Sequence, residues 1–284
     1  MENQNPPLPT IPPERGDDLH NLEYLSSVDL ILFMAGNQFM AMGDVLHNFQ
    51  KQNPSIEKIF YETLPPGLEL KQILSGGARF RDQVIDVRPD VYASVSMAAM
   101  ERLASAGFIG KDAPCLYLHN RLVLMVPSGN PLGITSVTDL AKPEIRISQP
   151  DPENEDIAHH ILDMYRQAGG EELVRVIMEE KRAVGRTLLT TVHHRQTPDR
   201  ILQGEVDVGP VWATEVVHAV RSGLPLEAVE VGKAFDQRER INYYVTPLKD
   251  SPHPETRQYF IDFLLSPPAQ KIYQGYGFVP HLSV

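Results

Sequence analysis

Two histidine doublets, His159-His160 and His193-His194, carry imidazole nitrogens of the kind that bind transition metals. Adjacent residues on a helix or strand point in different directions, so neither doublet chelates by itself. Solvated or hydrogen-bonding histidines, with no metal, are the expectation. The run from Asp151 to Asp156 (Asp-Pro-Glu-Asn-Glu-Asp) has carboxylates enough for calcium but lacks the spacing and the glycine of an EF-hand. A charge cluster at a helix start accounts for it. Tyr243 and Tyr244 offer phenols for iron, yet on a strand they face opposite sides, so at most one would serve. Cys115 is the single cysteine, which excludes an intrachain disulfide and a cysteine-based metal cluster. No G-x-S-x-G elbow, Walker phosphate loop, H-E-x-x-H or G-x-G-x-x-G occurs, and nothing pairs a nucleophile with a base. The expectation is a chain that is not an enzyme and holds no cofactor.

Binding remains. Four junctions carry small or amide residues: Ala35-Gly36-Asn37-Gln38, Pro65-Pro66-Gly67, Ser94-Val95-Ser96 and Gln196-Thr197. Small residues let a ligand approach the backbone, and helix N-termini point unpaired N–H groups at it. Each junction is also readable as an ordinary turn or cap; the set of them points to a site. Trp212, the only tryptophan, follows an expected strand at 206–211 and is readable as a ligand contact or as packing.

The elements that would position these residues alternate. Residues 1–20 are polar and proline-rich and read as an extended arm or linker. Apolar runs at 28–34, 59–61, 90–95, 122–126, 144–148, 206–211 and 241–245 read as strands. Between them helical spacing predicts a helix striped by Met42, Val45, Leu46 and Phe49 that runs to about Gln52, helices over 69–74 and 97–106, one striped by Ile157, Ile161, Met164 and Tyr165 that stops at Gly169-Gly170, and another striped by Leu173, Val176 and Ile177. Ser136 to Asp139 reads as a capping box for a short helix before Pro143. Thr197-Pro198-Asp199 reads as a helix start, with Thr197 as N-cap. A helix over 214–220 and two closing helices over 255–265 and 269–276 complete an α/β pattern with mainly parallel sheets.

Over 284 residues the composition is that of a globular protein, 42% hydrophobic and 22% charged, at a net charge of −11. That charge disfavours nucleic acid, whose phosphates need a basic face, but leaves a small anion open, since local amides override a distant net charge. No apolar run is long enough to span a membrane. The opening residues lack a basic region followed by an apolar one, so the alternatives are a cytoplasmic chain or one whose signal precedes Met1.

Three stretches then carry a family resemblance. The first is Leu122-Val-Leu-Met-Val-Pro-Ser-Gly-Asn-Pro131, followed by Thr138-Asp-Leu140, Ile145-Arg-Ile147 and Asp151-Pro-Glu153. The second is Gly204-Glu-Val-Asp-Val-Gly209 with Val211, Trp212 and Thr214, and the third runs from Phe260 to Gln270 and ends at Tyr276-Gly277-Phe278-Val-Pro280. Together they resemble the type II solute-binding proteins of ABC importers, nearest in pattern to the molybdate/tungstate-binding branch.

The resemblance implies a type II periplasmic-binding-protein fold, α/β, with two Rossmann-like lobes and a ligand cleft between them. Lobe 1 would comprise 21–120 and 240–284 and lobe 2 121–239, with crossings near 120–127 and 231–244. It implies a monomer that holds a small anion, a molybdate- or tungstate-like oxyanion, by neutral donors, with an ABC permease as partner. Carried over by position, the ligand-binding residues would be Asn37, Gln38, Gly67, Ser94, Ser96, Ile157, His194, Arg195, Thr197 and Trp212. The chain departs from the pattern at nearly every side-chain ligand: Asn37 stands for a serine, Pro66 has no N–H, and Trp212 stands for a tyrosine. Arg195 near the cleft would favour a negative ligand, possible sizes including one larger than molybdate. The alternative is a cytoplasmic accessory or sensor protein that keeps the scaffold and binds a partner, a small organic acid or a metal ion. For the metal, the histidines in question are His193, His194 and His159.

Overall fold

Every residue of strand Leu30–Phe33 is buried, as expected of a strand covered on both faces, and this strand lies parallel to both its neighbours. The computed structural model describes residues 7–282 except Asn154, Asp156 and Thr191, and of His193 the backbone only. The chain forms two units. The first comprises Met1–His119, Asn242–Gly275 and Pro280–Val284; the second comprises Asn120–Ile241 and Tyr276–Val279.

In the first unit Leu30–Phe33 is flanked by Ile59–Glu62 and Val91–Ser94, both parallel to it. Beyond Val91–Ser94 come Asn242–Pro247 and then Cys115–His119, each antiparallel to its neighbour. The sheet is therefore mixed rather than mainly parallel. The cause is connectivity: Cys115–His119 carries the chain out of this unit and Asn242–Pro247 brings it back, so the two run oppositely. Helices Phe39–Gln52, Pro66–Ser75, Met97–Ser105 and Pro254–Leu264 bury apolar stripes, and Phe49 meets Phe260 edge-on at 5.1 Å. Buried Asp90 accepts hydrogen bonds from the Ile31 N–H (2.7 Å), the His253 N–H (2.9 Å) and the Ser251 hydroxyl. It thereby ties the central strand to the start of helix Pro254–Leu264.

The expected arm is corrected from residue 10 onward. Thr10–Ile11 pairs with Ala78–Phe80, and Leu19–His20 is an edge strand antiparallel to Ile59–Glu62. Ile11 is fully buried, and proline content near it did not prevent pairing at a sheet edge.

In the second unit Leu122–Pro127 lies between Gly209–Trp212 and Leu226–Val229, antiparallel to both. Ile147–Pro150 and Thr187–Thr190 form a parallel pair, and Ile147 bridges in parallel to Val208. The strand expected at 144–148 thus begins later, after Arg146, whose guanidinium is engaged with Asp207 at 2.6 Å. Val123, Met125, Val206, Val211 and Val216 form the core here. Helix Ile157–Arg175 breaks at Gly169 and Gly170, where the apolar stripe stops. At Ser136 the capping box is present: the Asp139 carboxylate accepts from the Ser136 N–H at 2.9 Å.

Thr197 is not an N-cap. Helix His193–Leu202 begins four residues earlier, with Pro198 inside it. The Arg195 and Gln196 N–H groups already bond to the Val192 carbonyl, at 3.1 and 2.9 Å, so the first turn forms upstream of the proline. Pro198 is the sixth residue of this helix, past its first turn, and has no N–H to give to the i−4 ladder.

Candidate functional site

In the first unit the three parallel strands end together. Register pairs Phe33 with both Glu62 and Tyr92, so the loops at 34–38, 63–66 and 94–96 leave one edge of the sheet. Such an edge, at the carboxyl ends of parallel strands, is where α/β folds bind ligands. The first two loops are in close contact. A Cβ on Gly36 would stand 3.1 Å from the Thr63 carbonyl oxygen and 3.3 Å from that of Leu64, so the small residue is required for this approach.

Asn37 is half-buried, and its Nδ2 donates to the Tyr243 hydroxyl while its Oδ1 is buried without a partner. Gln38 is wholly buried; its Oε1 accepts from the hydroxyls of Tyr117 (2.8 Å) and Tyr273 (2.9 Å), and its Nε2 has no partner. That places Gln38 in the support beneath the loop. Gly67 is exposed in the first turn of helix Pro66–Ser75, where N–H groups have no carbonyl of the helix to bond. Ser94 is buried and its Oγ accepts from the Ser96 N–H at 3.2 Å; the Ser96 Oγ accepts from the Ala99 N–H at 3.3 Å as the N-cap of Met97–Ser105. The unit thus gathers Asn37, Gly67, Ser94 and Ser96 at one sheet edge.

The same edge holds acids that the sequence reading did not single out. Glu62, the last residue of its strand, and Glu69, in the first helical turn after it, are both wholly buried. Burial pushes the Glu62 carboxyl up to about 8, only partly offset by the hydrogen bond that Gln72 Nε2 donates to its Oε1 at 2.9 Å. Burial, then the nearby Glu62, pushes Glu69 well above the carboxylate range, although its Oε1 accepts from the Leu64 N–H at 3.2 Å.

In the second unit, register pairs Pro150 with Thr190, and the parallel bridge brings Gly209–Trp212 alongside, so the residues after these strands share an edge. Ile157 opens the helix that follows the first strand and is buried. Glu155 before it accepts from the Thr190 hydroxyl at 2.6 Å, so this acid is engaged within the loop; Asp156 lies outside the described residues. Trp212 is buried at the end of its strand, its ring centroid 5.9 Å from that of His160. His159 is exposed on the same helix, so that doublet diverges. Arg195 is exposed and His194 half-buried on the first turn of helix His193–Leu202. Thr197 is wholly buried, its Oγ1 2.9 Å from Ser148 Oγ, which makes it a packing residue under that turn. Among the described residues no three His, Cys, Asp or Glu side chains converge as metal ligands, and no helix is long and apolar enough to cross a membrane. Asp151 Oδ1 accepts from the Glu153 N–H at 3.0 Å, a turn before the helix.

Tyr243 is the residue of this region whose part went unread. The doublet with Tyr244 marked it only as an iron candidate, whereas its hydroxyl meets Asn37 and the Tyr244 ring packs toward the core. Alternation along a strand separates the two faces, but the partner of Tyr243 is 206 residues away.

Residues 30–279, spanning both units, match the family of bacterial extracellular solute-binding proteins. The chain belongs to that family. It is therefore a solute-binding protein and not an enzyme. The Bacillus subtilis (strain 168) protein named as an ABC transporter substrate-binding lipoprotein, YvgL, is 24% identical over 253 residues, covering 88% of this chain and 86% of the relative. Among solved structures, the sulfate-binding protein SubI of Mycobacterium tuberculosis H37Rv aligns at a TM-score of 0.70 and 20% identity, over 89% of this chain and 87% of that one. The periplasmic molybdate-binding protein of Azotobacter vinelandii aligns at 0.67 and 18%, over 90% and 100%. At such identities the likeness is one of fold, and it is the type II periplasmic-binding-protein fold.

Proposed function

We propose that this chain is the ligand-capturing component of an ABC importer, and that its ligand is a small oxyanion of the molybdate and tungstate class. The observation that carries the reading is the convergence, on one sheet edge of the first unit, of an amide, a helix N-terminus and two serines, with no basic side chain among them. Neutral donors and helix ends hold an anion without a counter-charge. At the strand ends of the second unit, the donors would be the Trp212 indole N–H, the backbone at Ile157, and Arg195 with His194. The name of the Bacillus relative supports the import role. The names of the two solved proteins mention sulfate and molybdate, both tetrahedral dianions, which supports the ligand class.

The test is a thermal-shift screen with molybdate, tungstate, sulfate, phosphate and small carboxylates. Tetrahedral oxyanions should raise the melting temperature with saturation, since an anion bound only by the folded state stabilises it by ~2.7 kcal/mol at 100 times Kd. A flat response to all of them overturns the reading, and a response to carboxylates alone changes the ligand class. Arg195→Ala should weaken binding ~10-fold or more, as expected on losing a charge-assisted hydrogen bond.

A further inference from the structure

Glu62 and Glu69 are two fully buried carboxyl groups within one strand-to-helix connection, and no cation accompanies them in the hydrogen bonds they make. Glu62 Oε2, Glu69 Oε2 and Gln72 Oε1 are all buried acceptors without a donor. Three acceptors and no donor do not make a satisfied interior if both acids are ionised. A proton on each carboxyl turns its Oε2 from an unpaired acceptor into a donor, and Gln72, already bonded to Glu62, holds the acceptor left open. The titratable and charged groups around the pair are Asp18, held by Arg15 at 3.2 Å, His20, whose Nε2 lies 3.3 Å from Thr63 Oγ1, and Tyr92, whose hydroxyl donates to the Pro66 carbonyl at 2.9 Å. Burial holds the His20 imidazole below its ordinary value, so it brings no compensating charge near neutrality.

The position of the pair gives it a consequence. Glu69 sits in the first turn of helix Pro66–Ser75, the same turn that presents Gly67. A carboxylate there occupies the positive end of the helix dipole and competes with any other anion for it; a neutral carboxyl leaves that field to the ligand. Glu69 also accepts from the Leu64 N–H, in the loop against which Gly36 packs. We propose that anion capture is proton-coupled through the Glu62–Glu69 pair: the anion is held while the pair is protonated and is released as the pair ionises. The inference rests on the oxyanion reading above.

The experiment is calorimetric titration of the full chain with molybdate and with sulfate from pH 7 to 9.5, where both anions are already fully deprotonated, alongside melting curves of the unliganded protein over the same range. Wild-type affinity should fall at least 10-fold across that range, with proton uptake on binding seen as a dependence of the heat on buffer ionisation. The fall should shrink to under 3-fold in the double variant Glu62→Gln/Glu69→Gln, with Glu69→Gln alone as the second variant should the double one fail to fold. Relative to that double variant, the unliganded wild type should lose melting temperature over this range. A pH-independent affinity, or an equal fall in the variants, overturns the coupling. If neither anion binds at pH 7, the oxyanion reading fails and the coupling with it. The unliganded melting curves then still decide whether the pair holds its protons.

Discussion

Thr197 reaches Ser148 through space that only a glycine at 209 leaves open. A Cβ there would stand 2.3 Å from Thr197 Cγ2 and 3.1 Å from the Ser148 carbonyl oxygen. Gly209→Ala should therefore cost ~1–3 kcal/mol of stability, as overpacking does in a well-filled interior. Adding Thr197→Ser deletes the methyl while keeping the hydroxyl bonded to Ser148 and should restore part of the loss. Urea denaturation of the single and double variants checks this; additive losses would show that the two sites do not meet. Thr197 looked like a cap because threonine before proline and aspartate is a local signal. Its burial comes from packing against residues 49 positions away in sequence, which no local pattern records.

Lys181 serves as a connector between elements. Its ammonium donates to the carbonyls of Leu140 (2.8 Å) and Lys142 (2.5 Å), closing the end of the short helix Val137–Ala141. Burial pulls its amine down to about 8. Because the unfolded lysine titrates near ~10.4, the unfolded chain keeps a proton that the folded chain has lost between those values. Stability from this group therefore rises as pH climbs through that window. Denaturation of wild type and Lys181→Met from pH 7.5 to 10.5 should show the gap between them widening in favour of wild type, and a constant gap would contradict it. The helices whose stripes carry them, such as Phe39–Gln52 and Ala213–Arg221, were legible because amphipathic spacing is local. Short strands such as Gln83–Ile85, with Val84 half exposed, were not, because they exist only through their partners.

The whole chain carries a net charge of −11, which repels an approaching anion. Added inert salt screens that repulsion over a Debye length of ~8 Å at physiological ionic strength. Association with an oxyanion should therefore hold or quicken as potassium gluconate rises from about 10 to 150 mM, an expectation that follows from this screening. Stopped-flow emission of Trp212, the only tryptophan, reads it directly. A steep slowing would mean that a cationic patch, and not neutral donors, draws the ligand in. Native mass spectrometry should find one anion per chain.

The amino-acid sequence alone settled the alternation of strands and helices and the absence of a catalytic motif. It also placed small and amide residues at the strand ends, since these depend on neighbours within a few positions. Tertiary structure alone decided the mixed sheet, the pairing of residues 10–20, the contact of Asn37 with Tyr243 and the burial of Glu62 beside Glu69. Each of those turns on which distant segments are brought into register. A buried charge is costly only by virtue of what surrounds it, and its surroundings are assembled by the fold.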